Sequence, residues 1–175
     1  GLTRAFEAEK WPCMPASAWS DARAAALERI VSGAELDICG SDIDPTCVTL
    51  SQENARKAGV GESVRFTQAD ATQIAYRQHT GVLFANPPYG ERLLDREQAQ
   101  KLYVQMGKSA GQSELKQYFL TSDPEFERFY GYRADKRRKL YNGMLKCDLY
   151  MFFKPVQVRK KFVEKITGRP KNVHK

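Results

Sequence analysis

Short apolar runs alternate along this chain with longer segments in which apolar residues recur at helical spacing. A short run bounded by glycine, proline or aspartate is typical of a buried strand, and a longer periodic segment is typical of a helix. Strands are predicted at residues 35–41, 63–68, 81–85 and 117–121. Helices are predicted at residues 16–31, 45–58, 95–111 and 124–130, with a short helix or loop at 72–80. This alternation predicts an α/β fold with a mostly parallel, doubly wound, Rossmann-like sheet.

The last two predicted strands form a hairpin. Residues 136–141 and 144–153 flank an Asn-Gly pair, which favours a two-residue turn because both of its positions accept a positive φ. The sheet is therefore expected to end in an antiparallel hairpin, with one reversed edge strand. No linker or repeat divides the chain, so residues 1–154 are predicted to form one folded portion. Residues 155–175 are predicted to form a loosely held basic tail.

The most informative motif follows the predicted strand at 81–85. There Asn86-Pro87-Pro88-Tyr89 ends the strand abruptly, because proline fixes φ and has no N–H to donate to a sheet. The loop is expected at the carboxyl edge of the sheet, where open α/β sheets bind their ligands. An amide, rigid carbonyls and an aromatic ring are suited to holding a flat base by its exocyclic amine. The alternative for this tetrapeptide alone is a turn that only ends a strand.

Two aspartates are expected at the same edge of the sheet as Asn86. Asp42 follows the first strand and could accept hydrogen bonds from ribose hydroxyls, while Ile43 could lie against an adenine face. Asp70 follows the next strand and could accept a hydrogen bond from an adenine amino group. Asp44 is expected to cap the following helix. Capping is also the alternative for Asp42, although that residue lies one position too early for it.

The net charge of +7 is unevenly placed. Residues 155–175 carry seven basic side chains against one acidic side chain, and residues 133–148 carry six against two. Concentrated basic charge favours a polyanion partner, and nucleic acid first of all. Alternation along the hairpin places Arg137, Lys139 and Tyr141 on one face, where they could contact phosphates and stack on a base. The alternatives are a solubilising tail and a sheet edge protected by charge.

Several classes of protein are disfavoured by the same sequence. No apolar stretch is long enough for a membrane helix, and the N-terminus has no signal-peptide pattern. The four cysteines are scattered without a CxxC pair, which is typical of reduced thiols in a cytoplasmic protein. With only two histidines and no nucleophile motif, neither a metal site nor a catalytic triad is expected.

Three segments carry a resemblance to a known class of enzyme. GSDIDP, ADA and NPPYGERL, in this order, resemble the class I S-adenosylmethionine-dependent methyltransferases that modify exocyclic amines. GLTRAFEAEKWP near the start and RADKRRKLYNGMLKCDLYMF near the end resemble a narrower family. These are the bacterial THUMP-domain RNA methyltransferases of the 23S ribosomal RNA guanine-N2 type, often labelled N6-adenine-specific DNA methylases. The resemblance covers residues 1–154, which would form part of the catalytic domain.

The resemblance implies S-adenosylmethionine as the cofactor. Asp42 would bind the ribose of the cofactor, Asp70 and Ala71 would border its adenine, and Asn86 would lie beside the bound molecule. No metal ion would be needed for the transfer.

The resemblance also implies how the target would be held. Asn86 and the Pro87 carbonyl would hold the target amine, Tyr89 would stack on the target base, and Arg92 would contact the RNA. The target base would have to be flipped out or already unpaired. The expected partner is RNA, most specifically 23S ribosomal RNA.

One departure from the family is expected to matter. Family members carry a first strand with a Gly-rich cofactor loop and an N-terminal THUMP domain, and none of these is recognisable here. Residues 1–175 alone are therefore expected to bind the cofactor weakly, and the upstream segment of the same enzyme is an expected partner. Two other functions stay open. One is an adenine-N6 methyltransferase acting on DNA or RNA, and the other is a nucleic-acid-binding module without catalysis.

Overall fold

The computed structural model describes residues 4–31, 33–73, 80–88 and 96–162. The chain divides into two compact units, one of Gly1–Gly40 with Gln52–Arg65 and one of Ser41–Ser51 with Phe66–Lys175. The helices are α1 (Ala18–Glu28), α2 (Pro45–Lys57), α3 (Arg96–Ser109) and α4 (Phe126–Tyr130), with 3-10 turns at Glu7–Lys10, Ala110–Gln112 and Val156–Val158. The strands are β1 (Ile38–Asp42), β2 (Val64–Gln68), β3 (Val82–Ala85), β4 (Lys116–Thr121), β5 (Lys136–Asn142) and β6 (Leu145–Phe152).

The predicted strands and main helices are all present, and most of them are a few residues shorter than predicted. Helix α2 shows why the local prediction succeeds. Asp44 Oδ1 accepts a hydrogen bond from the Thr46 N–H at 2.8 Å, and Pro45 is the first helical residue. Asp44 is therefore a capping residue, as predicted. The segment predicted as a short helix or loop lies mostly outside the described residues.

The sheet differs from the predicted one. Strands β3, β4, β6 and β5 form a four-stranded sheet in that order, and β1 pairs with β2 in a separate sheet. Strand β3 runs parallel to β4, whereas β6 is antiparallel to both β4 and β5. Strands β3, β4 and β5 therefore run in the same direction and β6 alone of these four is reversed, which agrees with the predicted strand directions and C-terminal antiparallel hairpin, and the fold is mixed α/β.

The reversed strand also lies elsewhere than predicted, because β6 is internal and β5 forms the edge. The physical reason is the composition of the two hairpin strands. Strand β6 carries Tyr150 and Phe152, both with no exposed surface, whereas most of β5 is exposed and charged. A strand between two others buries its apolar side chains most completely, which stabilises the fold. A charged strand at the edge disfavours pairing with another chain.

Helices α3 and α4 supply the aromatic core on one face of the four-stranded sheet. The Phe126 ring lies edge-on to Tyr103 at 5.0 Å and stacks on Tyr130 at 5.1 Å. Gly107 allows α3 to approach α4 closely, since a Cβ at this position would lie 2.0 Å from the Tyr130 carbonyl oxygen. The buried members of this core cluster are Ala99, Tyr103, Met106, Phe119, Phe126, Tyr130, Tyr150 and Phe152.

The segment after the last strand is attached to the body of its unit. Arg159 is 7% exposed, and its guanidinium donates to the carbonyl oxygens of Lys154, Gly111 and Leu115 at 2.8–3.0 Å. The prediction of a loosely held tail is therefore wrong for residues 155–162, and the rest of that tail lies outside the described residues. The predicted boundary between a catalytic portion and a tail stays a prediction.

Candidate functional site

The carboxyl ends of β1 and β2 form a concave site. The Asp42 carbonyl accepts a hydrogen bond from the Ala69 N–H at 2.9 Å, which holds the two strand ends side by side. The Gln68 side-chain amide donates to the Ile43 carbonyl at 3.0 Å. The resulting concavity has a volume of about 460 Å³ and is lined by Ile43, Gln68, Ala69, Asp70 and Gln73. The structure thus brings together Ile43 and Asp70, two of the residues predicted to bind the cofactor.

Asp70 presents an ionised carboxylate to this concavity. Its Oδ1 accepts hydrogen bonds from the N–H of Thr72 at 2.8 Å and from the Thr72 hydroxyl at 2.7 Å. The Thr72 N–H, followed by the hydroxyl, holds the pKa of Asp70 below its ordinary value. An ionised carboxylate with one oxygen committed to its own turn can still accept hydrogen bonds from a ligand's hydroxyl or amino group.

Asp42 and Ala71, two other predicted cofactor residues, adjoin lining residues in the chain but do not line the concavity themselves. Asp42 is exposed, and its Oδ1 accepts a hydrogen bond from the Asp44 N–H at 2.9 Å. Ala71 packs against the same core cluster as Ala85, the last residue of β3. This common packing ties the turn after β2 to the strand that leads into the proline-rich loop. The roles of Asp42 and Ala71 stay predictions.

The proline-rich loop, defined as Asn86-Pro87-Pro88, follows β3 directly. Asn86 is exposed, Pro87 is buried and Pro88 is half-buried. Asn86 is therefore an exposed residue directly after a strand, the position that the sequence predicted, and the two prolines that follow it are at least half-buried. Its role stays a prediction. Tyr89 and Arg92 lie outside the described residues.

A buried hydrogen-bond network supports this loop from the core side. The Tyr103 hydroxyl donates to the Pro88 carbonyl at 3.0 Å and lies 3.2 Å from Thr121 Oγ1. Thr121 Oγ1 also accepts a hydrogen bond from the Asp123 N–H at 3.1 Å. The sequence predicted Tyr103 only as a core-facing residue of α3. No local pattern in α3 could predict that its hydroxyl donates a hydrogen bond to the Pro88 carbonyl, which lies in the loop after β3.

The basic hairpin has the register that places its predicted contact residues together. Arg137, Lys139 and Tyr141 alternate along β5 and lie opposite alternate residues of β6, so their side chains share one face. Tyr141 is 72% exposed, and it lies opposite the exposed Lys146 near the tip. Lys146 was not among the predicted contact residues, although its position after the turn could have indicated it. An exposed ring beside lysines is suited to contact with RNA.

Arg137 differs from its neighbours because protein carboxylates already pair with it. Its guanidinium lies 2.8 Å from Asp148 and 3.6 Å from Glu127, and it lies over the Tyr150 ring at 4.5 Å from the centroid. Burial opposes its charge, but the hydrogen bond to Asp148 and the nearby negative charges raise the pKa of Arg137 overall. Its predicted contact with RNA stays a prediction, and the two carboxylates make it less favourable than a contact through Lys139.

In the ranges that the structure describes, no three His, Cys, Asp or Glu side chains come together as a possible metal site. No helix in those ranges is both long enough and apolar enough to cross a bilayer.

Known proteins resemble this chain in sequence and in fold. Residues 3–151 match the family UPF0020, the RMKL-like methyltransferase domain. YpsC of Bacillus subtilis (strain 168) is 35% identical over 165 residues, which cover 94% of this chain and 43% of YpsC. Ribosomal RNA large subunit methyltransferase K/L of Shewanella baltica (strain OS155) is 37% identical over 158 residues, which cover 87% of this chain and 22% of that enzyme.

A solved structure supports the same relationship. The crystal structure of SMU.472 complexed with SAH superposes with a TM-score of 0.78 at 40% identity, covering 87% of this chain and 41% of that one. The chain therefore spans less than half the length of each of these relatives. With the family model matching most of its residues, the chain belongs to the RMKL-like methyltransferase domain family.

Proposed function

We propose that this chain forms part of the catalytic site of an RNA methyltransferase, which transfers a methyl group from S-adenosylmethionine to guanine N2 in 23S ribosomal RNA. The observation that carries the proposal is the exposed Asn86 amide at the carboxyl end of β3, on a loop anchored by two prolines. The similarity to an enzyme named for the large ribosomal subunit supports the RNA substrate. The structure of SMU.472 with SAH supports the cofactor.

The concavity beside β1 and β2 fits the adenosine part of such a cofactor. Its volume of about 460 Å³ lies in the range of small-molecule sites, roughly 300–1,000 Å³. Ile43 is 66% exposed and offers an apolar surface for a flat ring, while the Asp70 carboxylate can accept hydrogen bonds. We assign the ribose hydroxyls to Asp42 and the border of the adenine to Asp70 and Ala71. When bound, the cofactor supplies an electrophilic methyl group on a sulfonium.

The chain's own contribution to the reaction is to position the target amine. An exocyclic amine is a weak nucleophile because its lone pair is delocalised into the base. The Asn86 side-chain oxygen and the Pro87 carbonyl can accept hydrogen bonds from its two N–H groups, which holds the nitrogen and turns its lone pair out of the ring. Positioning of this kind can supply a large share of the barrier reduction. Tyr89 completes the proposal by stacking on the flipped base, with a contribution of roughly 1–3 kcal/mol.

The basic hairpin is the proposed contact with RNA outside the active site, and Arg92 is proposed as a further contact. Lys139, Lys146 and Tyr141 all expose side chains on β5 and β6. Lysines that neutralise phosphates position an RNA without reading its sequence, and an exposed ring can stack on an unpaired base. The hairpin is therefore proposed to orient the RNA, and the loop after β3 to select the amine.

The rest of the longer protein is proposed to complete the site. Among the described residues, β3 pairs only with β4, and its residues Val82 and Phe84 are 59% and 70% exposed. An open strand edge with exposed apolar side chains is a suitable place for another strand. We propose that an upstream strand, followed by its Gly-rich loop, pairs with this open edge of β3. Residues 1–175 alone are then expected to bind S-adenosylmethionine much more weakly than the full-length protein does, as calorimetry would measure.

The test uses the full-length gene product with tritiated S-adenosylmethionine and ribosomal RNA, followed by identification of the labelled nucleoside. We expect N2-methylguanosine from the unchanged protein and none from Asn86→Ala. Asn54→Ala is the matched control, because it removes an exposed amide from α2 and leaves the loop after β3 intact. N6-methyladenosine would instead assign the enzyme to adenine. No label on RNA or DNA would contradict the proposal and favour a binding module without catalysis.

A further inference from the structure

The two prolines of the loop leave its backbone with few means of attachment. Neither Pro87 nor Pro88 has an N–H, so these residues can be held only through their carbonyl oxygens and by packing. The proline rings fix φ, and Pro88 also restricts ψ of Pro87, but ψ of Pro88 stays free and sets the direction of the Pro88 carbonyl. The structure shows one hydrogen bond that removes this freedom, from the Tyr103 hydroxyl to the Pro88 carbonyl at 3.0 Å.

The donor of that bond is itself held rigidly. Tyr103 has no exposed surface, and its ring lies edge-on to Phe126 at an interplanar angle of 72°. Its hydroxyl oxygen lies 3.2 Å from Thr121 Oγ1. Because the single Tyr103 proton goes to Pro88, the Thr121 hydroxyl donates to Tyr103. Thr121, Tyr103 and Pro88 thus form a directed chain of hydrogen bonds that begins in the buried core and ends at the half-buried Pro88, and hydrogen bonds in such a chain strengthen one another.

We infer that Tyr103 is a positioning residue for methyl transfer, whose hydroxyl sets the direction of the Pro88 carbonyl and thereby the loop that presents Asn86 and Pro87. The inference rests on the proposed function for its catalytic consequence. It does not rest on that function for its structural content, because the hydrogen bond and its effect on the loop can be measured without any reaction. Tyr103 acts through the loop, so its removal should change the rate of transfer more than the binding of cofactor.

The core offers a closely matched control. Tyr130 belongs to the same core cluster and is 2% exposed, and its hydroxyl donates to Gln117 Oε1 at 2.6 Å. Tyr130→Phe removes a buried hydroxyl with its hydrogen bond to Gln117, and Tyr103→Phe removes a buried hydroxyl with its bonds to Pro88 and Thr121, so both should lower the thermal stability and Tyr103→Phe somewhat more. Only Tyr103→Phe disconnects the loop after β3.

The experiment compares both variants in the full-length gene product. For Tyr103→Phe we expect kcat to fall by at least about tenfold, with the KM for S-adenosylmethionine changed less than about twofold, since small misplacements of reacting groups cost roughly 100-fold in rate. For Tyr130→Phe we expect a kcat close to that of the unchanged protein. A similar kcat for the two variants would overturn the catalytic part of the inference.

Hydrogen–deuterium exchange provides a readout that does not depend on activity. Pro87 and Pro88 carry no amide proton, so the readout is the backbone amides of residues 81–86, which should exchange faster in Tyr103→Phe than in the unchanged protein and should not do so in Tyr130→Phe. Equal exchange of this segment in all three proteins would overturn the positioning role. If the unchanged protein methylates nothing, the proposed function fails, and the exchange result alone decides whether Tyr103 orients the loop.

Discussion

Tyr150 provides a prediction in which the structure sets both the sign and the size of the effect. Its side chain has no exposed surface, and its hydroxyl donates to the Asp123 carbonyl at 3.2 Å. Burial raises the pKa of Tyr150 from 10.0 to about 12, with Arg137 opposing the rise and nearby carboxylates adding to it. A tyrosinate at this position would lose its hydrogen bond and place a charge in an apolar core.

The raised pKa makes stability depend on pH in the alkaline range. The folded protein binds the Tyr150 proton more tightly than the unfolded chain, so this contribution is complete below pH 10.0 and is lost as the pH rises toward about 12. Two pKa units correspond to about 3 kcal/mol, of which about 1 kcal/mol is lost by about pH 11. Tyr150→Phe removes this loss, but it costs about 1 kcal/mol at every pH through the missing hydrogen bond.

The assay is urea unfolding followed by far-ultraviolet circular dichroism at about pH 8 and about pH 11. At the lower pH, the parent should be about 1 kcal/mol more stable than Tyr150→Phe, and at the higher pH the difference should fall to about zero. Phe152→Leu is the control, because it perturbs the same buried strand without removing a titrating group. Its difference from the parent should be the same at both pH values. A constant difference for Tyr150→Phe as well would refute the reasoning.

Two further predictions concern the packing of α3 and the hairpin. Gly107→Ala should lower the free energy of unfolding by at least about 2 kcal/mol, because the new Cβ would lie 2.0 Å from a backbone oxygen and outweigh the helix preference of alanine. Gly111→Ala should cost less, since its Cβ would meet only a tyrosine ring atom at 2.7 Å, and equal losses in urea unfolding would contradict this. In the full-length protein, Lys139→Ala should reduce the salt slope of RNA binding by about 0.7, and Arg137→Ala should leave it nearly unchanged. Equal reductions for the two variants would show that Arg137 also neutralises a phosphate.

Much of the local structure could be predicted from the sequence because it depends on residues close together in the chain. The cap of α2 needs only Asp44 and the residues that follow it, and the hairpin needs only its turn and the alternation of its strands. The proline-rich loop follows β3 for the same reason, since two prolines end any strand. These features fix where chemistry-bearing side chains occur along the chain.

Long-range order could not be predicted in the same way. The inner position of β6 depends on its buried side chains, which favour pairing with both β4 and β5, whereas the charged β5 is left at the edge of the sheet. The burial of Arg159 could not be predicted locally. Two of the carbonyl oxygens that accept its hydrogen bonds belong to Gly111 and Leu115, which precede it by 48 and 44 positions in the chain. The sequence predicted that Arg137 could contact a phosphate, and the fold shows that Glu127 and Asp148 already lie beside its guanidinium.

The same distinction between local features and long-range contacts applies to the candidate site. The strand that Asn86 follows, the strands before Ile43 and Asp70, and the basic hairpin were all predictable, because periodicity, capping and proline act over a few residues. The folded structure was needed to show that Gln68 and Gln73 join Ile43 and Asp70 around one concavity, and that Tyr103 donates a hydrogen bond to Pro88. Contacts between distant segments depend on how whole elements pack, and packing is a property of the assembled core.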